Sequence, residues 1–182
     1  CHDFKNHLVV LRRLLVENSY REMEAYLNDV AKPINRMNSI IWSDCTIVNL
    51  ILNIKSAEAE DKGVKTVISI GEMDWDRYEE KDLVVIFSNL LDNAIESCGK
   101  MERKRKWITV DIHMKNAMSV IKVENSAFEC PKRVNGEFVS TKIKREIHGY
   151  GIKSVQSIVE KYGGTGEWKY AEGVFSVCIC FF

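Results

Sequence analysis

An α+β fold is predicted for this chain. A helical hairpin pairs with a second copy as a dimeric four-helix bundle, and a two-layer α/β sandwich follows, a mixed sheet with helices on one face. Three observations carry this. Apolar residues in the first 42 positions recur at heptad spacing. From Ser43 onward the pattern alternates between helical and strand periods, reading helix, strand, helix, two strands, an unpatterned stretch, helix, two strands. Hydrophobic residues make up 46% of the 182, enough to bury a full core. The predicted units are 1–42 for the hairpin and 43–182 for the sandwich.

In the hairpin, Phe4, Leu8, Leu11 and Leu15 form one seam with Cys1 in phase. After a turn at Asn18-Ser19, a second seam runs through Tyr20, Met23, Leu27, Val30, Ile34, Met37 and Ile41, with Pro33 kinking or breaking it. Ser43 or Asp44 is the expected cap of a helix through Ile47, Leu50, Ile51, Ile54 and Ala57, ended by Gly63. Val64 to Ile70 alternates and is β-branched, hence a strand, and Gly71 to Glu80 is a polar turn containing Trp75. Asp82 to Cys98 is a helix with Leu83, Ile86, Leu90, Ala94 and Cys98 on one stripe. The basic run Lys100 to Lys106 is a solvated loop that can also dock an acidic partner. Trp107 to Met114 and Ser119 to Glu124 pair around Lys115-Asn116, Ser126 to His148 suits a mobile lid, and a helix carrying Val155, Ile158, Val159 and Tyr162 stops at Gly163-Gly164. A hairpin turning at Glu172-Gly173 closes the chain.

Composition narrows the function. With 26 basic and 26 acidic residues the formal charge is zero, so no general nucleic-acid-binding surface is expected. No apolar run approaches membrane-spanning length and no signal peptide is present. The chain begins at Cys1 inside a helical pattern and reads as a segment of something longer. Its six cysteines include no Cys-x-x-Cys pair and no zinc-like spacing with the four histidines, which points to reduced cytosolic thiols.

Two constellations carry chemistry. Asn89 and Asn93 stand one turn apart beside the apolar stripe, so their carboxamides emerge together. A neutral amide oxygen can share Mg²⁺ with phosphates without adding repulsive charge. By itself the pair is equally the solvated edge of an amphipathic helix. Downstream, His148-Gly149-Tyr150-Gly151 opens the next helix, where backbone amides can approach a phosphate. At the other end His2 projects to solvent beside Asp3, whose carboxylate can hold one ring nitrogen protonated and leave the other as a nucleophile. On its own His2 is an ordinary surface histidine.

Asn-x-x-x-Asn with the later Gly-x-Gly resembles the N-box and second glycine box of the gyrase/chaperone/histidine-kinase ATPase superfamily. The string His-Asp-Phe-Lys-Asn-His-Leu at 2–8 resembles the phosphoacceptor box of bacterial sensor histidine kinases, in the subgroup that includes peptide-pheromone (quorum-sensing) sensors. Phe138 to Lys142 resembles the lid end of that subgroup. The resemblance implies a histidine-kinase core that binds ATP and Mg²⁺, phosphorylates His2 with Asp3 assisting, and passes the phosphoryl group to a response-regulator aspartate. It implies nucleotide contacts from Asn89, Asn93, Asn125, Thr141, Lys142, His148, Gly149, Tyr150 and Gly151, with Asn93 on the metal and Lys144 and Arg145 within reach of the phosphates. It further implies a homodimer, and a full-length protein in the cell membrane with an N-terminal membrane sensor region, of which this is the cytoplasmic segment. The chain departs from the pattern where the superfamily has Asp-x-Gly: Asn125 and Ala127 stand there, so weak ATP binding and poor discrimination against GTP are expected. The ATP-hydrolysing relatives carry a glutamate where this chain has Asn89, which cannot act as a base, so hydrolysis is disfavoured. A non-catalytic dimeric scaffold or phosphotransfer module is the remaining alternative.

Overall fold

The computed structural model describes residues 2–30, 40–100, 105–128, 133–134, 137–138 and 151–182, with side chains described except at 2–6, 8, 28–30, 133–134 and 137–138. It divides into two units, Cys1–Asn38 and Ser39–Phe182. The elements in chain order are α1 (His2–Val16), α2 (Tyr20–Val30), α3 (Thr46–Asp61), β1 (Lys65–Ile70), a 3₁₀ turn at Trp75–Arg77, α4 (Glu80–Gly99), β2 (Trp107–Lys115), β3 (Met118–Ser126), β4 (Arg133–Val134), β5 (Glu137–Phe138), α5 (Gly151–Lys161), β6 (Thr165–Ala171) and β7 (Val174–Phe181).

In the first unit Asn18 takes a left-handed conformation, φ 53°, which its short polar side chain tolerates. The Ser19 amide donates to Leu14 O at 2.9 Å and its carbonyl accepts the first bond of α2, from Met23 N at 3.0 Å. The chain thus reverses within one turn, and His7 Nδ1 meets Tyr26 OH across the two helices at 2.8 Å. Leu15, Tyr20 and Leu27 of the expected seam are 52%, 58% and 43% exposed. Its continuation through Pro33, Ile34 and Met37 lies outside the described residues.

The second unit is built on a five-stranded sheet of order β1-β2-β3-β7-β6, and β4 and β5 form a separate small ladder. β1 runs parallel to β2, and every other neighbouring pair is antiparallel. Register places apolar side chains in rows on one face. Ile68, Val110, Val123, Val177 and Trp168 make one, and Ile70, Ile112, Ile121 and Ile179 make the next, ending at Gly166. α3, α4 and α5 supply the other side of this core through Val48, Leu52, Leu83, Phe87, Ile95, Val155 and Val159. The opposite face is polar, with Asp111, Lys122, Cys178 and Glu167 aligned across four strands. No described helix is long and apolar enough to cross a membrane.

Four local expectations differ from what is found. α3 is flanked by Cys45 with no side-chain cap, because Ser43 is drawn instead into bonds with Asn49, whose Oδ1 accepts from the Trp42 and Ser43 amides at 3.1 Å each. Its buried face is Val48, Ile51, Leu52 and Ala59, and Leu50 is 48% exposed. The stretch read as a polar turn contributes Met73, Trp75 and Tyr78 to the core, Trp75 packing on Phe87 with ring centroids 6.3 Å apart. The β2–β3 turn is Asn116-Ala117, both at positive φ, one residue beyond the expected position.

Deleting the side chain at the centre of the apolar rows tests this register. Ile121 is fully buried whereas Val67, on the other face of β1, is 50% exposed. Ile121→Ala should cost about 2–5 kcal/mol in urea unfolding, and Val67→Ala well under about 1 kcal/mol. Equal costs would contradict the assigned faces.

Candidate functional site

The site is organised by α4. Its apolar stripe of Leu83, Ile86, Phe87, Leu90, Leu91, Ala94, Ile95 and Cys98 is buried, which leaves the adjoining edge to Asn89 and Asn93, both half-buried. The Asn89 amide nitrogen donates to Val85 O one turn back at 2.7 Å. That bond fixes the carboxamide and turns Oδ1 outward. What Oδ1 faces is the first residue of α5: a Cβ built on Gly151 would fall 2.8 Å from it, closer than real Cβ contacts come. The first-turn amides of α5 have no intrahelical acceptor and form the positive end of the helix dipole. An amide oxygen held against a helix N-terminus is a donor set for an anion and a hard cation together.

Electrostatics around α4 keep this edge free of unpaired negative charge. Asp92 lies between the two asparagines but is tied to Lys55 at 2.5 Å, and Lys55 also holds Glu58 at 2.9 Å. Burial opposes the Lys55 charge, yet the hydrogen bonds to Asp92 and Glu58 outweigh it and raise its pKa above the ordinary value. Glu58, bonded by Lys55 and Lys62, is lowered. Among the described residues no hydrogen bond engages the Asn93 amide, and no group of three or more His, Cys, Asp or Glu side chains could hold a metal alone. A cation here would be shared between amide oxygens and the phosphates of a ligand.

Asn125 sits on the helix-covered face of the sheet, in register between Ile108 and Phe175, and only 2% exposed. β3 runs on to Ser126, two residues past its expected end, and so places Asn125 inside the ladder. Its Nδ2 donates to Ser126 O at 2.9 Å. Nearby the Cys98 thiol contacts Trp107 O and both oxygens of Ser126 at 3.4 Å, and burial raises its pKa. Ala127 continues the chain with its amide donating to Gly173 O at 2.8 Å.

Of the candidates, Asn89 and Gly151 are brought into contact, Asn93 shares their helix, and Asn125 lies on the sheet face beneath the helices. Thr141, Lys142, Lys144, Arg145, His148, Gly149 and Tyr150 fall outside the described residues. His2 and Asp3 lie in α1, in the other unit, with their side chains undescribed.

Sequence reasoning missed a polar cluster where α4 begins and α5 ends. Tyr162 OH donates to Asp82 Oδ2 at 2.7 Å and accepts from the Glu79 amide at 2.9 Å. Lys161 Nζ donates to Asp82 Oδ2 at 2.6 Å and also pairs with Glu79. Lys161 first, with Tyr162 assisting against burial, holds the Asp82 carboxyl below its usual range. No sequence signal joins them, since the partners lie eighty residues apart; in the structure Asp82 is only 8% exposed.

A mixed five-stranded sheet with helices on one face is the fold of histidine-kinase catalytic domains. The catalytic domain of histidine kinase ThkA matches with TM-score 0.59 at 16% identity, over 74% of this chain and 89% of that one. The histidine kinase AdeS of Acinetobacter baumannii matches at TM-score 0.55 and 10% identity, over 100% of this chain and 97% of that one. The cytoplasmic segment of histidine kinase QseC gives 0.52 and 16%, over 92% and 94%. No curated protein matches by sequence. The GHKL domain matches residues 79–181, more than half of the chain, from the start of α4 to the end of the last strand, and the chain belongs to that family.

The Asn89–Gly151 approach can be tested directly. Gly151→Ala should displace the Asn89 carboxamide, shift its side-chain amide resonances, and cost about 0.5–1.5 kcal/mol through the bond to Val85. In an Asn89→Ala background the same substitution should be neutral or slightly stabilising, since alanine is the better helix former. Equal costs in both backgrounds would show that the two residues do not meet.

Proposed function

We propose that the chain is the kinase core of a sensor histidine kinase. It binds Mg·ATP at the Asn89–Gly151 edge of the α4–α5 pair, transfers the γ-phosphoryl group to His2 and hands it on to a response-regulator aspartate. The observation that carries this reading is the Asn89 carboxamide set against the N-terminus of α5 at Gly151. On this reading Asn93 holds the metal, with Asn89 beside it. Mg²⁺, when bound, would neutralise phosphate charge and the charge that develops on the leaving oxygen. The imidazole nitrogen of His2 attacks that phosphorus, the bond to the β–γ bridging oxygen breaks, ADP leaves, and Asp3 takes or shares the imidazole proton. Thr141, Lys142, His148, Gly149 and Tyr150 would complete the phosphate contacts. Residues 1–42 would pair two copies as a four-helix bundle. The full-length protein would sit in the cell membrane and belong to the peptide-pheromone subgroup.

Asn125 bears on which base is taken. One hydrogen of its NH₂ group is held by Ser126 O, which leaves Oδ1 as an acceptor and the second N–H as a donor. On the ATP reading, Oδ1 would accept from the adenine amino group while the Ser126 bond holds the carboxamide in place. Turning the amide toward a guanine carbonyl would break that bond. On this reading ATP is favoured over GTP, where residue type alone leads to the expectation of poor discrimination. Titration of both nucleotides should give ATP the tighter binding by several-fold, the worth of about one hydrogen bond. Equal affinities would mean that the base is read elsewhere.

Incubation with γ-labelled ATP tests the kinase reading. Wild type should take up acid-labile, alkali-stable label, His2→Gln should lose it while still binding nucleotide, and His7→Gln should keep at least part. Label persisting in His2→Gln would contradict the assignment. Absence of both nucleotide binding and label in wild type would favour the alternative, a non-catalytic dimeric scaffold or phosphotransfer module with a degenerate nucleotide pocket, which the Asn125 and Ala127 departures keep open.

A further inference from the structure

The α4–α5 pair holds the proposed site, so whatever sets the register of these two helices sets the site. Their apolar contact, through Val155 and Val159 against the α4 stripe, is buried but non-directional. Apolar packing alone leaves one helix free to slide and roll by a fraction of a turn on the other. Polar contacts with defined geometry remove that freedom.

Two close contacts define the register. One is steric: the bare backbone of Gly151 lies so near Asn89 Oδ1 that a Cβ would fall 2.8 Å from it. The other is the cluster of Tyr162, Lys161, Asp82 and Glu79. Asp82 and Asn89 are seven residues apart on α4, about 10 Å, while Gly151 and Lys161 span ten residues of α5, about 15 Å. Two fixed points that far apart define both the slide and the rotation of the antiparallel helices. The Tyr162 hydroxyl is the centre of the second point: it accepts from the Glu79 amide and donates to the Asp82 carboxylate, so it needs both a proton and a lone pair. Its ring is itself held, edge-on to Tyr78 at 5.1 Å and to Phe181 at 6.2 Å. Lys161 neutralises Asp82 and Glu79, which would otherwise repel across the first turn of α4.

We propose that Tyr162 and Lys161, acting through Asp82, are positioning residues for nucleotide binding: they lock α5 on α4 so that Gly151 meets Asn89. They lie at the far end of α5 from that contact and act on it through the rigid helix. The functional half of this claim rests on the Mg·ATP reading above; the geometric half does not.

The test uses the whole chain. In Tyr162→Phe and Lys161→Met, titrated with Mg·ADP well below their melting midpoints, affinity should fall roughly three- to tenfold, the scale of one lost hydrogen bond. Lys161→Arg should restore most of it. A control with comparable loss of melting temperature at a distant core position, Ile68→Ala in β1, should bind as wild type does. Without nucleotide, Tyr162→Phe should shift the Asn89 side-chain amide and the Gly151 backbone amide resonances. Affinity falling no further than in Ile68→Ala, or unmoved Asn89 and Gly151 resonances, would overturn the proposal. Should wild type bind no nucleotide, the Mg·ATP reading fails, and the resonance shifts still decide whether the cluster positions Gly151.

Discussion

Everything in the second unit depends on α4 being buried along one stripe while it keeps a polar edge in use. Eight residues from Leu83 to Cys98 are buried against the sheet and its neighbouring helices. A helix so committed cannot rotate, because a shift of one residue turns it by about 100° and would drive Asn89 or Asp92 into the core. The orientation of the two asparagines is therefore a by-product of core packing. A rigid helix holds a ligand set more accurately than a loop could, and the apolar surface that fixes it is also what stabilises the fold.

The charges follow from the same constraint. The first turn and the middle of α4 carry carboxylates, and each is met by a lysine from another helix, Asp82 by Lys161 and Asp92 by Lys55. These pairs are partly exposed and add little to stability by themselves. Their larger effect is to leave the neutral Asn89 carboxamide oxygen, and not a carboxylate, as the group set against Gly151 of α5.

Much of this was legible in the sequence, for reasons that are local. The buried stripe of α4 has helical period, so Leu83, Ile86, Leu90, Ala94 and Cys98 could be named before any coordinates. The Glu172-Gly173 turn needs positive φ at both residues, and both have it. What stayed hidden was set by distant partners. β3 extends to Ser126 because Val174 and Phe175, some fifty residues on, pair with its last two residues. Trp75 and Tyr78 look like turn residues until Phe87 and Phe181 pack on them. Ser43 is a good cap by type, yet Asn49 competes for the same backbone. The Tyr162–Asp82 cluster joins residues eighty apart, and no periodicity announces it.

The central claim is that the helix-covered side of the fold, at the Asn89–Gly151 edge, receives Mg·nucleotide. Amide NMR during a Mg·ADP titration reads it most directly. The account predicts shifts at the side-chain amides of Asn89, Asn93 and Asn125 and at the Gly151 backbone amide, with the open sheet face around Lys122 and Cys178 unmoved. Shifts centred on that open face, or none at the three asparagines, would contradict it.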